Sequence, residues 1–188
     1  IVTAGAAIYA VAALAGSSIG FGAAISMVAT ASFGGPLSAM VAGAGLGFGS
    51  SFTASLLNGG SIGDAFKAGV IGGIVGGVTG GLTYGIGSMS GELGSLGTPL
   101  AHGVVEGGLS EAMGGQFRHG FYAGFAASAA GGAIGKIPGS SPIAIAERVS
   151  AAALVGGTAS VLGGGKFANG AVSGAFVRLF NEEAHPYR

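Results

Sequence analysis

Apolar positions in this chain run in long windows unbroken by charge. Residues 1–16 (IVTAGAAIYAVAALAG) and 18–33 (SIGFGAAISMVATASF) are apolar and alanine-rich. Gly34-Gly35-Pro36 breaks the run, as Gly-Pro pairs do. Residues 37–57 form a third window, ended by Asn58-Gly59-Gly60. Ser61 or Asp64 is placed to cap the next helix. No Asp, Glu, Lys, Arg or His occurs before Asp64.

That next helix carries the most regular feature of the chain. Gly69, Gly73, Gly77, Gly81 and Gly85 recur every fourth residue, with a second row at Gly72, Gly76 and Gly80. No charge lies between Lys67 and Glu92. On a helix, positions four apart stack, so each row makes a smooth groove along one face. Such grooves let helix backbones touch, and in lipid close packing is a main source of association. In water each interior glycine costs about 1 kcal/mol against Ala. The rows therefore predict helix packing in a membrane or an oligomer. Small residues four apart also pack two helices of a soluble protein. Thr53, Ser55, Thr79, Thr83 and Ser88 offer hydroxyls to a wet pore wall, or to the carbonyl four residues back in their own helix.

A looser Ser/Gly stretch, 88–98, follows, with Pro99 near the start of the next element. Twelve of the fourteen charges lie beyond Ser88, each isolated among glycine and alanine. Helices are expected at about 100–113, 119–135, 143–162 and 168–181. Residues 136–142 (KIPGSSP) read as a linker, and the polar tail from Asn181 to Arg188 reads as frayed. One repeat is visible at an offset of fifty residues. Gly114-Gly115-Gln116-Phe117-Arg118-His119-Gly120 pairs with Gly164-Gly165-Lys166-Phe167-Ala168-Asn169-Gly170, and Gly124 with Gly174. The pattern G-G-[QK]-F-x-[HN]-G-x-x-[AS]-G predicts a duplicated helical hairpin. Gly-Gly makes the turn, and His119 or Asn169 caps the returning helix.

Composition sharpens this picture. Glycine is 43 of 188 residues, far above the ~7% average. Charged residues are 7% against a usual ~25%, so a soluble surface is hard to assemble. A mean hydropathy of +0.72 argues against ordinary disorder, and five prolines without a three-residue period exclude collagen. The formal net charge is zero and the charges are scattered, so no basic patch points to nucleic acid. There is no cysteine. The expected fold is mainly α: Gly/Ala-rich apolar helices and helical hairpins, poorly ordered until inserted or shielded. Residues 1–99 would form a membrane-inserting region, and 100–188 the duplicated hairpins with a polar tail.

Candidate chemistry is sparse. His102 and Glu106 are an i, i+4 pair, with Glu111, Arg118 and His119 nearby. A nuclease-type toxin could use His102, Glu106, Arg118 and His119, with His as base and Arg as phosphate clamp. The same residues also suit turn caps and interfacial polar positions. H-x-x-x-E lacks the second His of a zinc helix, and no phosphate loop G-x-x-x-x-G-K-[ST] exists. No catalytic residue, metal site or cofactor is assigned.

The segment Gly163 to Phe176 with Arg178-Leu179-Phe180-Asn181 resembles a stretch near the C-termini of bacterial Rhs and related polymorphic toxins. Ala101 to Val105, Gly114 to Phe117 and His119-Gly120 are similar to a preceding copy there. The resemblance covers roughly residues 100–181. It implies a toxin fragment enclosed in an Rhs shell and cut free at a junction, here Ile1. In many such proteins a separate toxin domain follows this segment. Only 181–188 follow it here, so any activity is expected within the 188 residues. Some Rhs effectors delivered by type VI secretion depolarise the target inner membrane, and the apolar first half resembles that type best.

The expectation is therefore a pore-forming toxin, not an enzyme. It would insert into the target-cell inner membrane, associate through its glycine rows and leak ions. Expected partners are lipid, the Rhs shell, a cognate and membrane-embedded immunity protein, and other copies of the chain. A delivery module without toxicity of its own is the alternative from a different class.

Overall fold

The computed structural model describes residues 35–185. The windows 1–16 and 18–33, and Ile1, lie outside the described residues. Those described are helical throughout, with no strand among them. The helices are α1 Pro36–Leu57, α2 Ile62–Ser88, α3 Ser90–Ala112, α4 Phe117–Ala129, α5 Gly131–Ile134, α6 Pro142–Leu162 and α7 Phe167–Val177. A π-helical turn, Arg178–Glu182, closes the order. Contacts divide the chain into two compact units, one to Gly81 and one from Leu82. The boundary expected after residue 99 falls within α3.

In the first unit α1 turns into α2 through Asn58-Gly59-Gly60. Gly59 takes a positive φ of 83°, where a side chain would be strained. Its N–H donates to Leu56 O (3.0 Å), and that of Gly60 to Ser55 O (2.9 Å). Both cap candidates act together. The Ser61 hydroxyl accepts from Asp64 N–H at 3.2 Å, and the Asp64 carboxylate accepts from Ser61 N–H at 3.3 Å. This is a capping box with Asp in the usual Glu place.

Both glycine rows of α2 face α1. A Cβ on Gly72 would strike the Gly47 carbonyl, one on Gly76 the Gly43 carbonyl, and one on Gly80 the Ala39 carbonyl. Ala39, Gly43, Gly47 and Ser51 form the complementary four-residue row on α1. The other α2 row is slightly looser. A Cβ on Gly73 or Gly77 would stand 3.2 Å from the carbonyl of Ala44 or Met40, and one on Gly69 would meet the Phe48 ring at 2.8 Å. Gly81 faces Met40, and Gly85 has nothing within 4 Å. The backbone approach that these rows permit offsets the poor helix propensity of glycine.

The second unit repeats one hairpin twice. At the α3–α4 corner, Gly115 N–H donates to Ser110 O at 2.8 Å; at the α6–α7 corner Gly165 N–H donates to Ser160 O at 2.8 Å. Gly114 and Gly164 both have positive φ, 81° and 91°. The Phe117 ring lies where a Cβ of Gly107 would be, and the Phe167 ring does the same at Gly157. The stretch expected to be loose, 88–98, is instead helical apart from Met89, between α2 and α3, and a break at Gly94 (φ 71°), five residues before Pro99. Ser141 caps α6 by accepting from Ala144 N–H at 3.2 Å, with proline in the first turn.

Three expectations are corrected. His119 and Asn169 do not cap: α4 and α7 begin two residues earlier, at Phe117 and Phe167. Gln116 and Lys166 occupy the cap positions without side-chain capping bonds. The Ser110 and Ser160 hydroxyls donate to their carbonyls instead, at 3.0 and 3.1 Å. The tail is not frayed through residue 185, for Asn181 is buried and Glu182, Glu183 and His185 all have partners. Finally, the hairpin has a third copy. Ser55, Gly59, Gly60, Phe66 and Gly69 precede Ser110, Gly114, Gly115, Phe121 and Gly124 by 55 residues. The α1–α2 corner carries the same bond from the second glycine to the serine carbonyl.

Candidate functional site

The hairpin seam is where the three copies differ. In α1 its inward positions hold Gly47 and Ser51; in α6 they hold Ala152 and Gly156. In α3 the same positions hold His102 and Glu106. Both are buried, His102 completely. Gly120 and Gly124 of α4 make room: a Cβ on Gly124 would meet the Glu106 Cγ and the His102 carbonyl, each at 2.7 Å.

Asn181 covers the imidazole, with its Nδ2 2.7 Å from His102 Nε2. An amide donor there fits a neutral ring whose proton sits on Nδ1. Burial pushes the His102 pKa down to about 4. Burial likewise pushes Glu106 up to about 7, against a weaker opposing hydrogen bond from Ser173. Both groups thus favour their uncharged forms, as expected for unpaired titratable groups out of water. Thr83 Oγ1, His102 Nδ1 and Glu106 Oε1 are buried without a hydrogen-bond partner.

A charged network stands at the chain's end. Arg148 grips Glu183 through two bonds, Nε to Oε1 at 2.6 Å and Nη2 to Oε2 at 2.7 Å. Its Nη1 donates to the carbonyls of Ile137 (3.1 Å) and Gly139 (2.8 Å). Arg178 donates to Glu183 Oε1 at 2.8 Å and to Gly131 O at 3.2 Å, and pairs with Glu182. Burial raises the Glu183 pKa, but bonds from Arg148 and Arg178 outweigh it and hold it below the ordinary value. Glu182 goes the other way, raised by burial despite Arg178.

The structure divides the residues that a nuclease would need. His102 and Glu106 lie in the seam with almost no exposed surface. Arg118 is exposed and bonded to Gln116 Oε1 at 2.7 Å. His119 stands beside the Gly164-Gly165 turn, where a Cβ on Gly165 would be 2.9 Å from its ring. Among the described residues no group of three His, Asp or Glu is placed to hold a metal.

Of the hydroxyls offered either to a pore wall or to their own helix backbone, two bond their own backbone. Thr79 donates to Val75 O at 2.8 Å, four residues back, and Ser88 to Gly85 O at 2.7 Å. The Thr53 side chain lies outside the described residues. On the side of α2 away from its glycine rows, Val70, Ile71, Ile74 and Val78 are exposed, Ile74 by 66%. The sequence carries the signal of this stripe: the glycine pairs 72–73, 76–77 and 80–81 are followed by Ile74, Val78 and Leu82.

No protein-family model, no characterised protein and no solved structure matches the chain.

Proposed function

We propose that this chain is the pore-forming toxin fragment of an Rhs-type effector, acting on the inner membrane of a target bacterium. The observation that carries the reading is α2. Its 27 residues are uncharged after Lys67, and its outer face exposes Ile71, Ile74 and Val78 to whatever surrounds it. Large aliphatic side chains lining a helix of spanning length favour hydrocarbon over water. The glycine face keeps α1 against α2, so two helices enter together and satisfy each other's close packing.

In this mechanism the fragment is released, the apolar region up to about residue 99 inserts, and helices associate to leak ions. The turn at Asn58 to Asp64 holds the first charged residue of the pair, Asp64, and stays at an interface. A shell shields the fragment before release. A membrane-embedded immunity protein protects the producer.

A membrane-potential dye in bacteria expressing residues 1–188 tests this directly. Rapid depolarisation with intact nucleic acid is expected. Normal growth and an unchanged potential would overturn the reading in favour of a delivery module. Nucleic-acid loss preceding depolarisation would overturn it in favour of an enzyme.

A further inference from the structure

We infer that the C-terminal segment 178–185 is a latch that holds the second unit closed, and that its release frees the end of α2, at Tyr84 and Gly87, for insertion. The inference rests on the pore-forming reading for its consequence, but its geometry stands separately. One short segment reaches five places. His185 packs on Tyr84, with ring centroids 4.5 Å apart. Asn181 lies where a Cβ of Gly87 would be and bonds His102 on α3. Arg178 holds Gly131 O on α5. Glu183 holds Arg148 on α6, and that same guanidinium holds the linker carbonyls of Ile137 and Gly139.

The apolar core of the unit is thin. Among the described residues, seven of its thirteen buried apolar side chains are alanine, beside Ile86, Ile134, Val149, Phe176, Val177 and Phe180. Alanine removes little apolar surface from water, so each contributes little. A latch built of charge-assisted bonds therefore carries an unusual share of the unit's cohesion. Its release also leaves partners stranded. Arg148 would lose its carboxylate, and the His102 ring the Asn181 amide that covers its Nε2; buried groups without partners are costly. The closed form is thus favoured while the latch is seated and steeply disfavoured once it leaves. The segment lies beyond α7, so it can detach without breaking that helix. Its wide π-turn is a form that proteins use sparingly, often at functional positions.

The test uses the full chain, which has no cysteine of its own. Tyr84→Cys with His185→Cys, joined by a short reducible cross-linker, locks the latch. Asn181→Ala with Glu183→Gln loosens it. Leakage is read from dye-loaded vesicles of phosphatidylethanolamine and phosphatidylglycerol, and opening from hydrogen exchange across α3 and α6. Locking should cut the leakage rate at least tenfold, with recovery on reduction. Loosening should raise both leakage and exchange. Equal leakage from the locked and reduced protein would overturn the latch. Should the unmodified chain leak nothing, the pore reading fails, and exchange decides the latch alone. Faster exchange in the loosened variant and slower exchange in the locked one would support it. Exchange unmoved by either change would sink it.

Discussion

Gly43 and Gly76 meet backbone to backbone: a Cβ on either would run into the carbonyl of the other. The small rows of α1 and α2 are thus already paired within one chain. Assembly of several copies through those rows would need α1 to be displaced or a different face to be used. The contact predicts a graded series on one helix. Gly76→Ala should destabilise the α1–α2 pair by about 1–3 kcal/mol, as overpacking does. Gly85→Ala meets nothing within 4 Å and should stabilise α2 by up to ~1 kcal/mol. Urea titration of each variant checks the order. Equal effects at the two positions would show that the rows do not seat α1.

The duplicated corner predicts unequal losses at its two serines and similar ones at its two positive-φ glycines. Ser160 is buried and its hydroxyl holds Lys166 O, whereas Ser110 makes the same bond to Gln116 O in an exposed setting. Ser160→Ala should cost about 1 kcal/mol and Ser110→Ala less, since water can replace only the exposed bond. Gly114→Ala and Gly164→Ala force a side chain into positive φ and should each cost ~1–2 kcal/mol. Thermal unfolding of the four variants gives the ranking.

Element positions were legible because glycine and proline punctuate this chain. The helix expected at 143–162 is α6, Pro142–Leu162, and the one expected at 168–181 is α7 with its π-turn. The glycine rows were legible as a shared face, but a row does not say which helix it meets. That answer needed the second row at Ala39, Gly43 and Gly47. The i, i+4 spacing of His102 and Glu106 was visible, while their burial depends on Gly120 and Gly124 across the hairpin. The tail was misread because its anchor, Arg148, stands 35 residues from Glu183, beyond any local pattern. The third hairpin was hidden by its 55-residue offset and by Ile62 in the place of phenylalanine.

His102 and Glu106 predict opposing pH dependences. Glu106 has a raised folded pKa of about 7, so its contribution is present below the unfolded value near 4.5 and is lost as pH rises through 7. His102 has a folded pKa lowered to about 4, so its contribution is present above 6.5 and is lost as pH falls through 4. The slopes are opposed in the overlap. The two contributions should therefore nearly cancel between about pH 4.5 and 6.5, leaving the unmodified protein only the shallow fall that the raised Glu182 adds. Glu106→Gln should unmask a rise with pH across that window, and His102→Gln a fall. Denaturation midpoints at several pH values read both. A flat profile in either variant would mean that the pair is not held uncharged.

The exposed stripe of α2 separates insertion from folding. Ile74 makes its side chain available to the surroundings while Gly73 and Gly76 hold the opposite side to α1. Ile74→Lys should change the stability of the folded chain by no more than ~0.5 kcal/mol, as exposed substitutions usually do. In a bilayer the same ammonium near the centre of a span costs about 2.5–3.5 kcal/mol, enough to reduce insertion roughly a hundredfold at equilibrium. Vesicle leakage should fall steeply while the urea midpoint stays in place. Ile74→Leu should preserve both. If Ile74→Lys leaks like the parent, α2 does not present this face to lipid, and the inserting surface must be sought elsewhere in the chain.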